Sequence, residues 1–255
     1  MQECELKIQR WIEQVQRCRN GLEFGIVYTR SKWFNLPTAL NIAGTNVPIS
    51  YPSENGVLND FMGCIIRDDY GLRRVLGQVR TIVDIGANVG FFALAARHLF
   101  PHAAIHAYEP NPRILPYLKR NVMAAGIQVF GEAVGRQDGR VRMVDWDDSN
   151  QARVRTAPEG EIDQVGLHRV IARIGSRIDL LKLDCEGAEW DMLASKECWS
   201  SIDHIRMEYH LDGNHSFNEL AETLQSSGFH IVRHVPEQGY GTVWASTRGS
   251  RLLEV

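Results

Sequence analysis

No apolar run in the 255-residue sequence approaches the ~20 residues needed to cross a bilayer. The N-terminus, M-Q-E-C-E-L-K-I-Q-R, is charged and lacks the apolar segment of a signal peptide. The five cysteines are odd in number and show no C-x-x-C pairing, which argues against a disulfide framework or a zinc site. These absences predict a cytoplasmic protein with reduced thiols and no membrane partner.

An excess of basic residues is also lacking, because 28 Lys and Arg face 31 Asp and Glu, for a net charge of −3. A nucleic-acid partner is therefore not expected, and a small-molecule acceptor is. The composition, 44% hydrophobic and 23% charged, is that of a globular protein. The length suits one α/β domain with an extension.

Residues 1–60 are predicted to form the extension, a helix followed by a cap. Between Cys4 and Arg19, apolar residues recur at helical spacing, at Ile8, Trp11, Ile12 and Val15. We expect this apolar face to pack on the domain; covering a ligand or contacting a second subunit in a homodimer are the alternatives. From Asn20 to Ser53 the pattern is irregular and broken by prolines, and we expect it to fold over the main domain.

Residues 61–255 show the alternation of strands and helices that is typical of a parallel sheet. Apolar strands are predicted at Thr81–Ile85, Ala104–Tyr108, Gln128–Glu132, Ile178–Leu183 and Ile202–Tyr209. Residues 134–176 are predicted to be an excursion of antiparallel strand and loop within the same domain. A closing antiparallel pair is predicted at Phe229–Val235 and Gly241–Ala245.

The first of these strands leads into a glycine turn. Arg80–Phe92 reads R-T-I-V-D-I-G-A-N-V-G-F-F, which predicts a buried strand, a tight turn and the start of a helix. Gly86 and Gly90 remove side chains where the backbone must approach a ligand, and they flank Asn88. The helix that follows presents unpaired N–H groups and a positive dipole end. This pattern predicts a cofactor site.

Every predicted parallel strand carries an acid at its carboxyl end, the edge where ligands bind in such sheets. A single acid there is equally well explained as a solvated charge or a helix cap, so it is the repetition that points to a site. The polar residues delivered to this edge are Asp84, Glu109, Glu132, Asp184, Glu186, Glu208 and His210.

Two cofactors compete for this site. A nicotinamide cofactor favours G-x-G-x-x-G next to a pyrophosphate, but here Asp84 precedes the turn and Asn88 replaces the middle glycine. A carboxylate repels a pyrophosphate and suits the ammonium group of S-adenosylmethionine. Glu109 is placed to accept both ribose hydroxyls, as an acid after the second strand does in dinucleotide folds. Glu132 and the Ala133 backbone are predicted to lie at the adenine.

Four motifs in order, D-I-G-A-N-V-G, Y-E-P-N-P, L-K-L-D-C-E-G-A-E and M-E-Y-H, resemble those of the FkbM-type methyltransferases. The resemblance covers roughly residues 61–244. It implies the α/β fold of class I methyltransferases, a Rossmann-like, doubly wound, seven-stranded and mostly parallel sheet. It also implies transfer of a methyl group from S-adenosylmethionine, usually to a hydroxyl of a polyketide, a sugar or a similar metabolite.

The resemblance also implies roles for residues at the cofactor end of the site. Asp84, Gly86, Asn88 and Gly90 would bind the methionine end, and Asp184 would lie near the reactive centre. Glu109 would bind the ribose, and Glu132 would lie by the adenine.

A hydroxyl acceptor benefits from a general base. His210 is the first candidate, because it follows a strand end two residues after Glu208, which is placed to orient it. Glu186 is the second candidate. Asp184, Glu186 and Glu208 together suggest a Mg²⁺ site as a less favoured alternative.

Three other functions stay open at this stage. They are an N-methyltransferase, a non-catalytic S-adenosylmethionine-binding protein, and an NAD-dependent oxidoreductase with an altered glycine loop. Asp84 argues against the last of these.

Overall fold

The computed structural model describes residues 2–27, 35–144, 152–211, 213–248, 250 and 253–254. Residues 28–34 of the predicted cap lie outside the described residues. In the part that is described, no helix is both long and apolar enough to span a bilayer.

The N-terminal part consists of one long helix, a hairpin and a series of short elements. They are α1 (Gln2–Glu23), β1 (Ala39–Ile42), β2 (Thr45–Pro48), α2 (Asn55–Phe61), a π-helical segment (Met62–Arg67), a 3-10 turn (Leu72–Arg74) and β3 (Val75–Leu76). No break in the backbone marks residue 60, because α2 runs through it into the π-helical segment. The division into 1–60 and 61–255 therefore stays a prediction.

The remaining elements alternate as predicted. They are β4 (Thr81–Ile85), α3 (Phe91–Leu99), β5 (Ala104–Tyr108), α4 (Leu115–Met123), β6 (Gln128–Phe130), β7 (Ala133–Gly135), β8 (Gly139–Val144), β9 (Arg153–Thr156), β10 (Ile162–Gly166), α5 (Leu167–Ile174), β11 (Ile178–Leu183), α6 (Glu189–Leu193), α7 (Lys196–Trp199), β12 (Ile202–His210), α8 (Phe217–Ser226), β13 (Phe229–Pro236), β14 (Tyr240–Thr247) and β15 (Leu253–Glu254).

A seven-stranded sheet in the order β13-β14-β12-β11-β4-β5-β6 forms the centre of the molecule. The five strands from β12 to β6 pair in parallel, and β14 is antiparallel to both β12 and β13. All five residues of β4 are buried, as expected for a strand with both faces covered. The predicted Rossmann-like, mostly parallel sheet is confirmed. Its order reverses between β4 and β11, which places a binding crevice at their carboxyl ends.

The excursion at 134–176 forms a second, four-stranded sheet in the order β7-β10-β8-β9. Its β8–β9 and β8–β10 pairs are antiparallel as predicted, whereas β7 and β10 pair in parallel. The helix α5, which lies within the predicted excursion of strand and loop and was not expected there, then returns the chain to β11.

The β1–β2 hairpin packs against the helical layer rather than over the crevice. The backbone N–H of Ser50 donates to Oδ1 of Asn121 at 2.8 Å, and Nδ2 of Asn121 donates back to the carbonyl of Ser50 at 2.8 Å. The backbone N–H of Ala43 contacts Nδ1 of His98 on α3 at 3.2 Å. The described residues 35–53 therefore fold over the main domain as expected, against α3 and α4, and they do not line the cavity at the strand ends.

The prediction that the apolar face of α1 packs on the domain is wrong. The side chains of Ile8, Trp11, Ile12 and Val15 are 54%, 68%, 45% and 47% exposed. The last turns of α1 anchor the helix instead, where Nδ2 of Asn20 donates to the carbonyl of Ile66 at 2.8 Å.

Candidate active site

A cavity of about 820 Å³ opens at the carboxyl ends of the parallel strands. It is lined by the turn after β4, the ends of β5, β11 and β12, the helical residues 59–67 and the β13–β14 hairpin. Parts of β7, β8 and β9 close one side. Its volume lies in the upper range for small-molecule sites, so it has room for two ligands side by side.

The glycine turn is held tightly between two strands. The backbone N–H groups of Gly86 and Ala87 donate to the carbonyl of Tyr108 at 3.1 and 3.0 Å. Gly86 has a φ of +77°, and a Cβ there would lie 1.7 Å from the carbonyl oxygen of Asp184. No other residue type fits at this point, because the turn presses against the end of β11.

A buried lysine joins the ends of β4 and β11. Nζ of Lys182 donates to the carbonyl of Gly86 at 2.7 Å and lies 3.3 Å from Oδ1 of Asp84 and 3.4 Å from Oδ2 of Asp184. Burial alone lowers the pKa of Lys182, but the two aspartates outweigh burial and hold that pKa well above its ordinary value. The lysine is therefore an ammonium ion whose charge is balanced by Asp84 and Asp184, so it is not placed to bind a pyrophosphate.

Asp84 lies beneath the cavity rather than on its surface. Its side chain is fully buried, and its carboxylate faces Lys182. The prediction that Asp84 contacts a ligand ammonium group directly does not fit this geometry, because the carboxylate does not reach the cavity. Asp84 acts on the turn through Lys182.

Glu109 is placed at the cavity wall as predicted. Its Oε2 accepts the backbone N–H of Asn88 and its Oε1 accepts the backbone N–H of Asn111, both at 2.8 Å. Burial raises the pKa of Glu109 to about 7, although these two hydrogen bonds oppose the shift. A carboxylate has about four lone-pair sites, so two remain for vicinal hydroxyls.

Glu132 and Ala133 also line the cavity, on its β6–β7 side. Glu132 forms an ion pair with Arg173, whose Nη2 donates to Oε1 of Glu132 at 3.0 Å. The guanidinium of Arg173 lies 4.7 Å from the ring centre of Phe130, which stacks on Tyr108 at 4.7 Å. Of these aromatic and guanidinium groups only Tyr108 lines the cavity, and Phe130 and Arg173 pack around it and Glu132.

At the other end, His210 lies among three carboxylates. Its Nε2 is 3.3 Å from Oε2 of Glu186 and 3.5 Å from Oε1 of Glu208, and its Nδ1 is 3.7 Å from Oε1 of Glu189. The structure thus brings together the three residues that the sequence proposed for acid–base chemistry. It adds Glu189, which the sequence analysis did not select.

The neighbouring charges in this cluster shift the pKa values of His210, Glu186 and Glu208. Burial by itself lowers the pKa of His210, but Glu189, Glu186 and Glu208 outweigh it and raise that pKa to about 9. Burial and the charge of Asp184 raise the pKa of Glu186 to about 7 and that of Glu208 to about 8. At neutral pH His210 therefore holds its proton, and the two carboxylates titrate close to the working range.

Sequence reasoning missed the residues contributed by the segment before β4. Oη of Tyr70 donates to Oδ2 of Asp184 at 2.7 Å, which fixes that carboxylate at the cavity surface. Sγ of Cys64 donates to Oδ1 of Asp60 at 3.1 Å, and burial raises the pKa of Asp60 to about 6. The sequence gives little indication of these residues, because they lie in short helical and turn segments that match no motif.

The Mg²⁺ alternative gains no support. Within the described residues, no group of three or more His, Cys, Asp or Glu side chains is arranged to hold a metal ion. Asp184 is held by Tyr70 and Lys182, while Glu186 and Glu208 turn toward His210.

The sequence profile of the Methyltransferase FkbM domain matches residues 84–231, more than half of the chain. The chain belongs to this family. The protein is therefore a methyltransferase, and the oxidoreductase alternative is discarded. The matched region begins at Asp84 and includes the turn, Glu109, the 182–189 segment and His210.

Two similar proteins are also named as methyltransferases. It is 28% identical over 186 residues to Methyltransferase 1 of Beauveria bassiana (strain ARSEF 2860), covering 61% of this chain and 74% of that protein. It is 29% identical over 210 residues to the 31-O-demethyl-FK506 methyltransferase FkbM of Streptomyces tacrolimicus, covering 66% and 78%. Among solved structures, fibrillarin of Aeropyrum pernix, in complex with S-adenosylmethionine, overlaps 69% of this chain and 73% of its own at 14% identity and a TM-score of 0.45.

Proposed function

We propose that this methyltransferase takes its methyl group from S-adenosylmethionine and transfers it to a hydroxyl of a small metabolite, such as a polyketide, a sugar or another natural-product intermediate. One observation carries the proposal. One cavity is lined by the Glu109 carboxylate, whose remaining lone pairs can accept two hydroxyls, and by the cluster of His210, Glu186 and Glu208.

The donor end of the cavity is acidic, because Glu109 and Glu132 line it, and the cations described beside them, Lys182 and Arg173, are already paired with carboxylates. Glu109 would accept the two ribose hydroxyls, and the wall at Glu132 and Ala133 would face the adenine. Gly86 and Asn88 line the cavity, where the methionine portion would lie. Gly90 does not line it, and a Cβ there would meet Leu118 and Val122. When bound, S-adenosylmethionine supplies a methyl carbon activated by its sulfonium charge. The protein supplies alignment and the removal of water.

At the acceptor end the chain must take up one proton. The acceptor oxygen forms a bond to the methyl carbon as the bond from that carbon to sulfur breaks, and the hydroxyl proton passes to a base. His210 carries a proton already, so we assign this step to Glu186 or Glu208, whose pKa values of about 7 and 8 leave about half of the first and about a tenth of the second ionised at neutral pH. The role predicted for His210 as the base changes to that of a cation that orients these carboxylates.

An N-methyltransferase and a non-catalytic binding protein fit the site less well. An amine acceptor needs less help from a base than an alcohol does, so an N-methyltransferase would not require the acid–base cluster around His210. The relative from Streptomyces tacrolimicus bears a name that specifies an oxygen acceptor, which favours the hydroxyl. A non-catalytic binding protein has no need of two carboxylates that titrate near neutral pH.

The test combines binding and turnover. Calorimetry should detect S-adenosylmethionine binding to the wild-type protein, and an acceptor panel of alcohols and matched amines should show transfer to oxygen. Glu208→Gln should lower turnover by roughly 10²-fold while donor affinity stays near the wild-type value. Absence of donor binding would refute the cofactor assignment, and transfer to amines with no effect of Glu208→Gln would refute the acceptor assignment.

A further inference from the structure

The apolar stripe of α1 faces away from the domain that carries it. Ile8, Trp11, Val15 and Leu22 are each between 47% and 68% exposed, and residues 6–13 are exposed all round the helix. Asn20, which anchors the helix by its bond to Ile66, lies on roughly the opposite side at 3.6 residues per turn. The apolar side chains at Ile8, Trp11, Val15 and Leu22 therefore point away from the domain, and Cys18, between Val15 and Leu22, is half-buried.

The spacing of the stripe is that of a coiled-coil seam. Ile8, Trp11, Val15, Cys18 and Leu22 follow one another at intervals of three, four, three and four residues. An isolated helical segment of this length is marginal in water, and a partner helix on the stripe would stabilise it.

We propose that α1 pairs antiparallel with α1 of a second copy of this chain, related by a two-fold axis near Ile12. The seam then aligns Trp11 of one helix with Val15 of the other, and Ile8 with Cys18. A two-fold axis makes every such contact occur twice. The pairing helix lies outside the cavity, so dimerisation does not depend on the proposed function.

Charge at the edge of the seam selects this partner and this direction. Positions 5, 12 and 19 flank the seam on one side at intervals of seven, and they hold Glu, Ile and Arg. In the antiparallel pair, position 5 of one copy lies opposite position 19 of the other, so opposite charges meet on both sides of Ile12. A parallel pair brings no opposite charges together along this edge. Arg19 is 77% exposed, with Nε 3.5 Å from Oε1 of Glu23, and is free to reorient toward a partner at little cost.

The direction also suits the attached domains. Each domain is anchored at the C-terminal end of α1, through Asn20 and through Glu23, whose Oε2 accepts Nη2 of Arg73 at 2.9 Å. An antiparallel pair places the two domains at opposite ends of a helix about 33 Å long, by the ~1.5 Å rise per residue. A contact of one helix per copy is small for a stable dimer, so the dimer should dissociate on dilution.

Sedimentation equilibrium of the full chain over a wide concentration range tests the pairing. The wild-type mass should move from monomer to dimer as concentration rises. Ile12→Glu puts two like charges on the axis and should give a monomer throughout. Arg10→Glu, which lies off the stripe, should still dimerise. Circular dichroism should show that both variants keep the wild-type fold.

A charge exchange tests the direction. Glu5→Arg and Arg19→Glu each create like-charge pairs in their own homodimers and should weaken dimerisation roughly tenfold. Mixed one to one, the two variants are complementary across the seam and should form a heterodimer as tight as the wild-type dimer. A wild-type protein that stays monomeric, an Ile12→Glu variant that stays dimeric, or variants that do not pair on mixing would each overturn the proposal.

Discussion

The pKa of Glu109 makes donor binding depend on pH in a way that can be measured. Burial raises this pKa to about 7, so at pH 6 about a tenth of the carboxylate is ionised and at pH 8 about nine-tenths. Hydrogen bonds to an ionised acceptor are about twice as strong as those to a neutral one. If ribose hydroxyls donate to Glu109, binding favours the ionised form. The affinity for S-adenosylmethionine should therefore fall as pH falls through 7.

The size of the effect follows from the same numbers. A ligand that requires the ionised form should lose roughly tenfold in affinity between pH 8 and pH 6, about 1.4 kcal/mol. Binding near pH 7 should also release a fraction of a proton, since the complex lowers the pKa of Glu109. Titration calorimetry in two buffers of different ionisation enthalpy measures both quantities.

Glu109→Gln is the matched control, because it keeps the shape of the side chain and removes its titration. Its affinity should be lower at pH 8, by about 1.5–3 kcal/mol for hydrogen bonds to a charged group. The pH dependence due to Glu109 should be gone. Equal slopes of affinity against pH in wild type and Glu109→Gln would refute the assignment of Glu109 to the ribose.

Three further outcomes are expected. Lys182→Met leaves Asp84 as a buried, unpaired carboxylate and should lower the free energy of unfolding by about 3–5 kcal/mol in urea titrations, whereas retained stability would contradict the buried ion pair. His210→Gln should lower turnover with little change in donor affinity, and it should move or abolish the fall in rate that we expect of the wild type above pH 9, where the imidazolium deprotonates. Gly86→Ala should fail to fold or lose donor binding, since its Cβ meets the carbonyl of Asp184; normal binding by calorimetry would contradict the geometry of the turn.

The central sheet was predictable because its strands are buried on both faces. Thr81–Ile85, Ala104–Tyr108 and Ile178–Leu183 are mainly apolar runs, each with one or two charged or polar residues, and their predicted bounds coincide with the structure. The common location of the acids at the carboxyl ends follows from the parallel direction of the strands. Glu109, Asp184 and Glu208 could therefore be placed at one edge of the sheet without knowledge of any contact.

Other features depend on contacts that one-dimensional patterns do not contain. Lys182 interrupts an apolar strand, but its bridge to Asp84 exists only because β4 and β11 are neighbours. Tyr70 reaches Asp184 across 114 positions of sequence. The face of α1 was predicted correctly as amphipathic, yet amphipathicity does not say whether the chain's own domain or another molecule covers it.

The acid cluster also suggests how the proposed base is controlled by the ligand. Glu186 and Glu208 have raised pKa values because burial and neighbouring carboxylates, Asp184 foremost, oppose their ionisation. A cation beside them would favour their ionised forms. On the proposed function, these carboxylates become stronger acids when the sulfonium ligand is bound and shed protons, which readies one of them to accept the hydroxyl proton. Once methyl transfer removes the positive charge, their pKa values rise again and they hold that proton. The negative charges of Asp184 and its neighbours therefore favour binding of a cationic donor before transfer, and they keep the proton on Glu186 or Glu208 after transfer.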